Sequence, residues 1–319
     1  MAFTLATFNV KNLLHPGEES VASRCLLSSK LDGIAETLRQ CDADAIGLQE
    51  VGPPELLRAL LERLPGMRYG EPILGTADAR GIRCALLSRL PVLEAKVETA
   101  AALSFPVFQL GDPEPFGARI PLRRGVVVAR LASTLGPVRA MVVHFKSPLP
   151  VSLRDGAGVA VAPTTARARA EGVLRGLVWR AAEALHARKL VDDALVAEPD
   201  AHVAVVGDFN DGPESPVVRV LRGEQGDRAD RADGRVPGQR EGVLFDCAAE
   251  IPSDARFSVL HGGAASRIDH VLATESLRAR LVGARFLNAA LRDHGDFDPE
   301  REELPTADSD HAALVVRFE

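Results

Sequence analysis

The chain has 319 residues, room for one large α/β domain or two average ones, and its 46 % hydrophobic and 26 % charged residues exclude collagen-like or mostly disordered character. No apolar run approaches the roughly 18 residues of a membrane span, and the amino terminus MAFTLATFNVKNLL alternates like a strand without a charged leader, so no membrane partner and a cytoplasmic location are expected. With 38 basic against 44 acidic residues the net charge is −6, so affinity for nucleic acid would have to come from local contacts, and 4 % aromatics argue against a stacking platform for single strands. Cys25, Cys41, Cys84 and Cys247 stand far apart with no CxxC pair, and reduced thiols are expected rather than disulfides or a zinc site.

In chain order, Phe3–Val10 alternates as a strand, and Leu31, Ile34, Ala35 and Leu38 recur at helical spacing within Ser29–Cys41. Ala45–Gln49 reads as a strand broken by Gly52-Pro53-Pro54, and Glu55–Leu64 as an amphipathic helix. Strands follow at Arg83–Ser88, Val92–Glu98, Gly125–Ala132 and Val138–His144, then one long helix over Ala166–Ala197 and a buried strand at Val203–Val206. Ser258–Leu260, Ile268–Ala273, Ala284–Leu287 and Ala312–Phe318 supply the last strands. Residues 148–163 and 222–242 read as flexible surface loops rather than linkers, because strands and motifs continue on both sides, and no solenoid-length repeat occurs. The expectation is one domain over residues 1–319. The mixed order, with strands outnumbering helices, disfavours a uniform βαβ wheel.

Polar and acidic residues gather where apolar strands end, the usual place for a ligand site in an α/β sheet. Asn9 and Asn12 close the first strand, Gln49-Glu50 the second, His144-Phe145-Lys146 a central one and Asp208-Phe209-Asn210-Asp211 another; Asp269-His270 and Asp310-His311 lie in or before the last strands. Singly, each has a structural explanation: a strand cap, a solvated carboxylate, an Asx turn. Together they suit attack of water on phosphorus. Magnesium takes hard oxygen ligands and only one or two protein carboxylates, which points to Glu50, helped by Asn9 and Asp310. Asp208 would deprotonate water, Asn210 would fix that water or the phosphate, and two histidines, kept cationic by Asp269 and Asp310, would stabilise the oxyanion. No HExxH, GxSxG, Walker A or GxGxxG pattern is present.

The ordered segments TFNVKNL, IGLQEV, VVHFKS, VVGDFND, RIDHVLA and SDHAALVV, spanning residues 4–318, resemble the motif series of the endonuclease/exonuclease/phosphatase superfamily, the deoxyribonuclease-I-like proteins. In motif form they are most similar to its bacterial nuclease branch. The resemblance implies an α/β fold of α+β type: a four-layer sandwich, two mixed β-sheets face to face with flanking helices. It implies Asn9 and Glu50 as metal and phosphate ligands, His144 as the first active-site histidine, and Asp208 and Asn210 around the water and scissile phosphate. Asp269 would orient a histidine, and Asp310–His311 would be the terminal metal and transition-state pair. The stretch GIRCALLSR lacks the carboxylate that pancreatic-type members pair with the first histidine, leaving Asp78 as the candidate to orient His144. The only tyrosine, Tyr69, falls too early to match the functional tyrosine of the apurinic-endonuclease branch.

Lys146, two residues past His144 on an extended segment, shares its face. Lys146, Arg123, Arg124 and Asn12 are the candidate phosphate-binding residues. The reading is a Mg²⁺-dependent phosphodiester hydrolase, with Mn²⁺ as substitute, acting on nucleic acid and foremost a DNA endonuclease, with no obligate protein partner. The competing readings are a hydrolase of small-molecule or lipid-headgroup phosphoesters and a binding module without catalysis.

Overall fold

Successive side chains of a strand point to opposite faces, and here the two faces have separate tasks. Phe3 and Leu5 of the first strand pack between two sheets, while Ala6, Phe8 and Val10 pack beneath helices. The computed structural model describes residues 2–17, 20–223, 242–293 and 309–319. Its strands in chain order are β1 (Phe3–Leu13), β2 (Ala45–Val51), β3 (Ile73–Leu74), β4 (Arg83–Ser88), β5 (Val92–Glu98), β6 (Val126–Ser133), β7 (Gly136–His144), β8 (Leu153–Arg154) and β9 (Ala160–Val161). They continue with β10 (His202–Asp208), β11 (Phe245–Asp246), β12 (Val259–His261), β13 (Ala264–Ser266), β14 (Asp269–Ala273), β15 (Leu281–Phe286) and β16 (Leu314–Phe318). The helices are α1 (Val21–Cys41), α2 (Pro54–Leu61), α3 (Ala166–Ala197), α4 (Pro216–Arg222) and α5 (Glu275–Arg278).

One six-stranded sheet runs β15-β16-β1-β2-β4-β3 and the other β11-β14-β10-β7-β6-β5. Both are mixed: β1 pairs with β2 and β7 with β10 in parallel, and the other pairings within them are antiparallel. Leu5, Val142, Val206, Val271 and Val316 fill the space between the sheets. Helices α1 and α2 cover the outer face of the first sheet through Leu31, Ile34, Leu38, Leu57 and Leu60. Helices α3 and α4 cover the second through Ala184, Ala187, Val191, Val218 and Leu221. The result is a four-layer sandwich of two mixed sheets with helices outside, as the motif resemblance implies.

Two glycines allow close approaches beneath the functional end, Gly47 between the two sheets and Gly207 between β10 and β7 within the second sheet. A Cβ on Gly47 would stand 2.8 Å from Val206 Cγ2, so the bare backbone admits the facing sheet. A Cβ on Gly207 would stand 1.9 Å from the Val143 carbonyl oxygen, a clash with backbone that cannot yield.

The structure corrects several expected boundaries. Helix α1 starts at Val21 because Ser20 and Ser23 form a reciprocal capping box; its first turn is largely exposed, and its apolar period begins at Leu27, four residues before Leu31. Segment 148–163 holds the short β8–β9 hairpin rather than loop alone. Ser215 caps α4 and Pro216 occupies its first turn, a helix absent from the sequence-based reading. The expected loop at 222–242 lies outside the described residues from 224 to 241. All four cysteines are free thiols. Among the described residues, no helix is long and apolar enough to cross a membrane.

Candidate active site

At one end of the inter-sheet space the apolar layer gives way to a polar one. In the second sheet the register sets His144 beside Asp208 and Asp208 beside Asp269 across three adjacent strands. Each continues the inward row of its strand, after Val142, after Val206 and before Val271. His144 Nε2 lies 3.4 Å from Asp208 Oδ2. Asn210 donates to Asp208 Oδ1 through its backbone N–H at 2.8 Å and to the Phe145 carbonyl through Nδ2 at 3.0 Å. On the far side of Asp208, Asp269 Oδ2 bonds His311 Nδ1 at 2.7 Å.

Burial governs the protonation of this row. Desolvation, reinforced by the negative charge of Asp269, pushes the Asp208 carboxyl up to about 7. Burial and the Arg124 and His311 charges hold His144 well below the usual imidazole range. Burial alone would also lower His311, but Asp269 outweighs it and pushes that imidazole up to about 10. One histidine is therefore cationic and the other neutral, which corrects the expectation that both are held cationic.

The first sheet reaches the same place by a different route. Asn9 continues the inward row of β1, and its Nδ2 donates to Asp208 Oδ2 at 3.0 Å, a bond between the two sheets. In β2, inward Ala45, Gly47 and Gln49 alternate with outward Ile46 and Leu48, so plain alternation would turn Glu50 toward the helices. Glu50 instead has φ +60°, and the β2–β4 register shifts between Leu48 and Val51. This irregularity re-aims the carboxylate: Glu50 Oε1 lies 3.9 Å from His144 Nε2, and Oε2 accepts from the Asn12 N–H at 2.7 Å. Lys11 and Asn12 are left-handed too, at φ +47° and +45°. The Lys11 N–H donates to Asn9 Oδ1 at 2.9 Å, and the Lys30 ammonium of α1 binds the Lys11 carbonyl. Left-handed non-glycine residues each cost about 1–3 kcal/mol and persist where surrounding bonds fix them, commonly at functional sites.

The donors of this rim fit a hard divalent cation. Asp310 Oδ1 and Asp269 Oδ1 are buried without hydrogen-bond partners, and Asn9 Oδ1 and the Glu50 carboxylate add oxygen donors. Burial would raise the Asp310 carboxyl, but the His311 and Lys11 charges prevail and hold it below the usual range, ionised and ready to ligate. Among the described residues no three acidic, histidine or cysteine side chains are grouped so as to hold a metal ion.

The candidate phosphate-binding residues divide. Lys146 is buried, and its ammonium donates to the Ser147 and Leu149 carbonyls at 2.7 and 2.8 Å. Arg124 is buried, donating to the carbonyls of His144 and Phe145 at 3.1 and 3.0 Å and to Asp78 Oδ2 at 3.2 Å. Both lie near the site but are turned into the protein, where they satisfy carbonyls left open by the strand exit. Asp78 thus reaches His144 only through Arg124; Glu50 and Asp208 face the imidazole directly. Arg123 remains partly open, its guanidinium over the Trp179 ring. The sequence reading missed Lys11, whose partly open ammonium lies 3.1 Å from Asp310 Oδ2. Its only signal was a cation inside the first motif. It also missed Ser309, whose hydroxyl donates to the Asn9 carbonyl at 2.6 Å and accepts from the His311 N–H, tying the last motif to the first.

Residues 6–311 match the model of the Endonuclease/Exonuclease/phosphatase family. Among solved structures, truncated TDP2 of Caenorhabditis elegans is similar over 99 % of this chain and 97 % of its own, with TM-score 0.55 and 17 % identity. An AP endonuclease from Archaeoglobus fulgidus aligns over 99 % of both chains, with TM-score 0.54 and 17 % identity. The human Nocturnin catalytic domain with bound sulfate aligns over 100 % of this chain and 94 % of its own, with TM-score 0.57 and 14 % identity. At these identities the likeness is one of fold. No curated protein matches the chain in sequence.

Proposed function

The chain belongs to the endonuclease/exonuclease/phosphatase family, whose members are phosphoester hydrolases, and from that premise we propose that it is a Mg²⁺-dependent phosphodiesterase cleaving DNA. The observation that carries the reading is the Asp208 carboxylate: buried, near neutrality in its proton affinity, and held by Asn9 from one sheet and Asn210 from the other. A base with that affinity takes a proton from water at the working pH without staying permanently protonated.

Glu50, Asp310 and Asn9 Oδ1 would hold the cation, with Mn²⁺ as a substitute for Mg²⁺. When bound, the ion would supply Lewis-acid neutralisation of phosphoryl charge. Asp208 accepts the proton of the attacking water while the Asn210 amide orients it; as the new P–O bond forms, the bond to the leaving oxygen breaks and that oxygen takes up a proton from solvent. The His311 imidazolium, fixed through Nδ1 by Asp269, stabilises the charge that gathers on the phosphoryl oxygens. Neutral His144 offers a hydrogen bond beside Asp208 without competing as a cation.

The DNA preference draws on the kinds of protein that share the fold, among them TDP2 of D. rerio in complex with a single-strand DNA product. A second reading, a small-molecule phosphoester as substrate, is favoured by the inward-turned Lys146 and Arg124, which leave fewer cations for flanking phosphates. Supercoiled plasmid, p-nitrophenyl phosphate and inositol phosphates assayed side by side, with chelator and with Mg²⁺ restored, separate the two. Metal-dependent nicking far faster than monoester hydrolysis is expected; efficient monoester turnover with inert DNA would overturn the nuclease reading.

A further inference from the structure

Beyond β7 the chain leaves its sheet, yet the backbone from His144 to Lys146 is held throughout by buried groups. The Phe145 N–H donates to the Asp208 carbonyl at 3.0 Å. The other groups are held by side chains. Arg124 Nε donates to the His144 carbonyl and Nη2 to the Phe145 carbonyl, so one planar guanidinium spans two successive peptides. Helix α3 takes both backbone groups of the next residue: Glu183 Oε2 accepts the Lys146 N–H at 2.6 Å, and Arg180 Nη1 donates to the Lys146 carbonyl at 3.3 Å. Asp78 secures the third arm of Arg124 at 3.2 Å, and Asp211 Oδ2 secures Arg180 Nε at 2.9 Å. Arg124, Arg180 and Glu183 are all buried. The Asn210 amide joins at the Phe145 carbonyl that Arg124 also binds.

We infer that Arg124 is a positioning residue, the centre of a clamp formed with Arg180 and Glu183 that fixes the His144–Lys146 backbone and thereby sets His144 and Asn210 against Asp208. The inference rests on the proposed roles of His144, Asp208 and Asn210, but its geometry is independent of the substrate. Burying a guanidinium and a carboxylate is costly unless they are paired and hydrogen-bonded; all three nitrogens of Arg124 are engaged, two of them by backbone carbonyls of the site, while Glu183 engages the site through Oε2 alone and its buried Oε1 has no hydrogen-bond partner. A displacement of about 1 Å at a reacting group costs on the order of 10²-fold in rate.

The test is Arg124→Lys, which keeps the charge facing Asp78 and Glu183 but lacks the rigid planar fork whose separate nitrogens meet two carbonyls and Asp78 together, with Arg124→Ala assayed with and without added guanidinium. On bis(p-nitrophenyl) phosphate, a diester without flanking phosphates, kcat is expected to fall by about 10²-fold with KM nearly unchanged, and guanidinium to restore part of the Ala variant's loss. The salt dependence of DNA binding should stay that of the wild type. Amide exchange over residues 142–150, measured without substrate, should accelerate in the Lys variant by more than exchange in the first sheet, a local excess that a loss of global stability alone would not produce. A raised KM for DNA with a salt slope shallower by about 0.9 would instead make Arg124 a phosphate contact. Unchanged kcat with unchanged exchange would remove the clamp. Should the wild type cleave no phosphodiester, the functional reading fails, while the exchange comparison still decides the clamp.

Discussion

The two sheets meet at one site, and they build their halves by opposite means. His144, Asp208 and Asp269 sit on regular extended strands in unbroken register, deep in the sandwich, each following the inward alternation of its own strand. Lys11, Asn12 and Glu50 sit on backbone forced into the left-handed region, closer to solvent, braced by Lys30 and by one another. The difference follows from what each half must do. Proton transfer needs groups whose affinity is set by burial and fixed neighbours, and a sheet interior supplies both. A cation and its waters need oxygen donors that converge from different directions at an accessible rim, which alternation along a strand cannot provide. Regular strands therefore place the tuned row and Asn9, while left-handed backbone brings up Glu50 at the first rim and Asn210, at φ +53°, beside Asp208.

The strongest challenge to this division is Asp208→Asn. The substitution keeps the shape and the in-register strand but removes the base, so kcat should fall by about 10²-fold or more with KM little changed. Steady-state kinetics on the minimal diester decides it. Turnover near wild type would move the base to the other rim or to His144, and the division of labour would collapse.

Glu50→Gln probes the opposite half. Because the Glu50 backbone is already held by the local fold, the change should leave the melting temperature nearly unmoved. Mg²⁺ affinity measured by calorimetry should weaken by at least about tenfold, the lower bound for losing even an outer partner of a metal ligand. Unchanged affinity would remove the first rim from metal binding.

How far the sequence displays these halves differs in the same way. Period-two alternation locates β1, and short apolar runs bounded by turn residues locate β4, β5, β7 and β10, so His144 and Asp208 fall at strand ends by simple counting. Alternation also marks Asn9, the inward residue that bonds across the sheets. It does not locate the turn of Glu50, because one residue at φ +60° reverses a side chain without altering composition or period. Nor does it separate Arg123 from Arg124. Adjacent arginines look alike in a sequence, and only the unpaired carbonyls beyond β7 determine which one turns inward. The pairing of Asp269 with His311 spans 42 residues and depends on how the β16 end meets β14, so site chemistry and motif resemblance gave Asp269 a histidine partner without naming which one.

The two histidines sharpen the comparison through pH. In metal-free protein, nuclear magnetic resonance should show the His311 ring protonated at neutral pH and titrating near 10, and the His144 ring uncharged there and gaining no proton until well below the usual imidazole range. The sign for stability follows. A folded value above the unfolded one of about 6.5 means that the folded state holds the extra proton, so the contribution of the Asp269–His311 pair is complete below pH 6.5 and vanishes as pH rises through about 10. Asp269→Asn should bring the His311 titration down and flatten that loss of stability. A His311 ring that titrates at an ordinary value in the unaltered protein would sink the assignment.

The smallest effect is the salt dependence of DNA binding, and it draws one cation from each rim. Lys11 borders the left-handed segment of the first sheet, and Arg123 lies just before β6 of the second; both ammonium and guanidinium remain partly open, unlike Lys146 and Arg124. Each neutralised phosphate of duplex DNA contributes about −0.9 to the log–log slope of affinity against salt, so two contacts give a total near −2. That is a shallow slope, in keeping with a chain whose net charge is −6. Lys11→Ala and Arg123→Ala should each flatten it by about 0.9, and Lys146→Met should leave it unchanged because its ammonium already serves the Ser147 and Leu149 carbonyls. Binding isotherms at several salt concentrations, with Ca²⁺ replacing Mg²⁺ to suppress cleavage, measure all three. A flattened slope for Lys146→Met and none for Lys11→Ala would mean that the buried side supplies the phosphate contacts and the open rim does not, reversing the assignment of the two sheets.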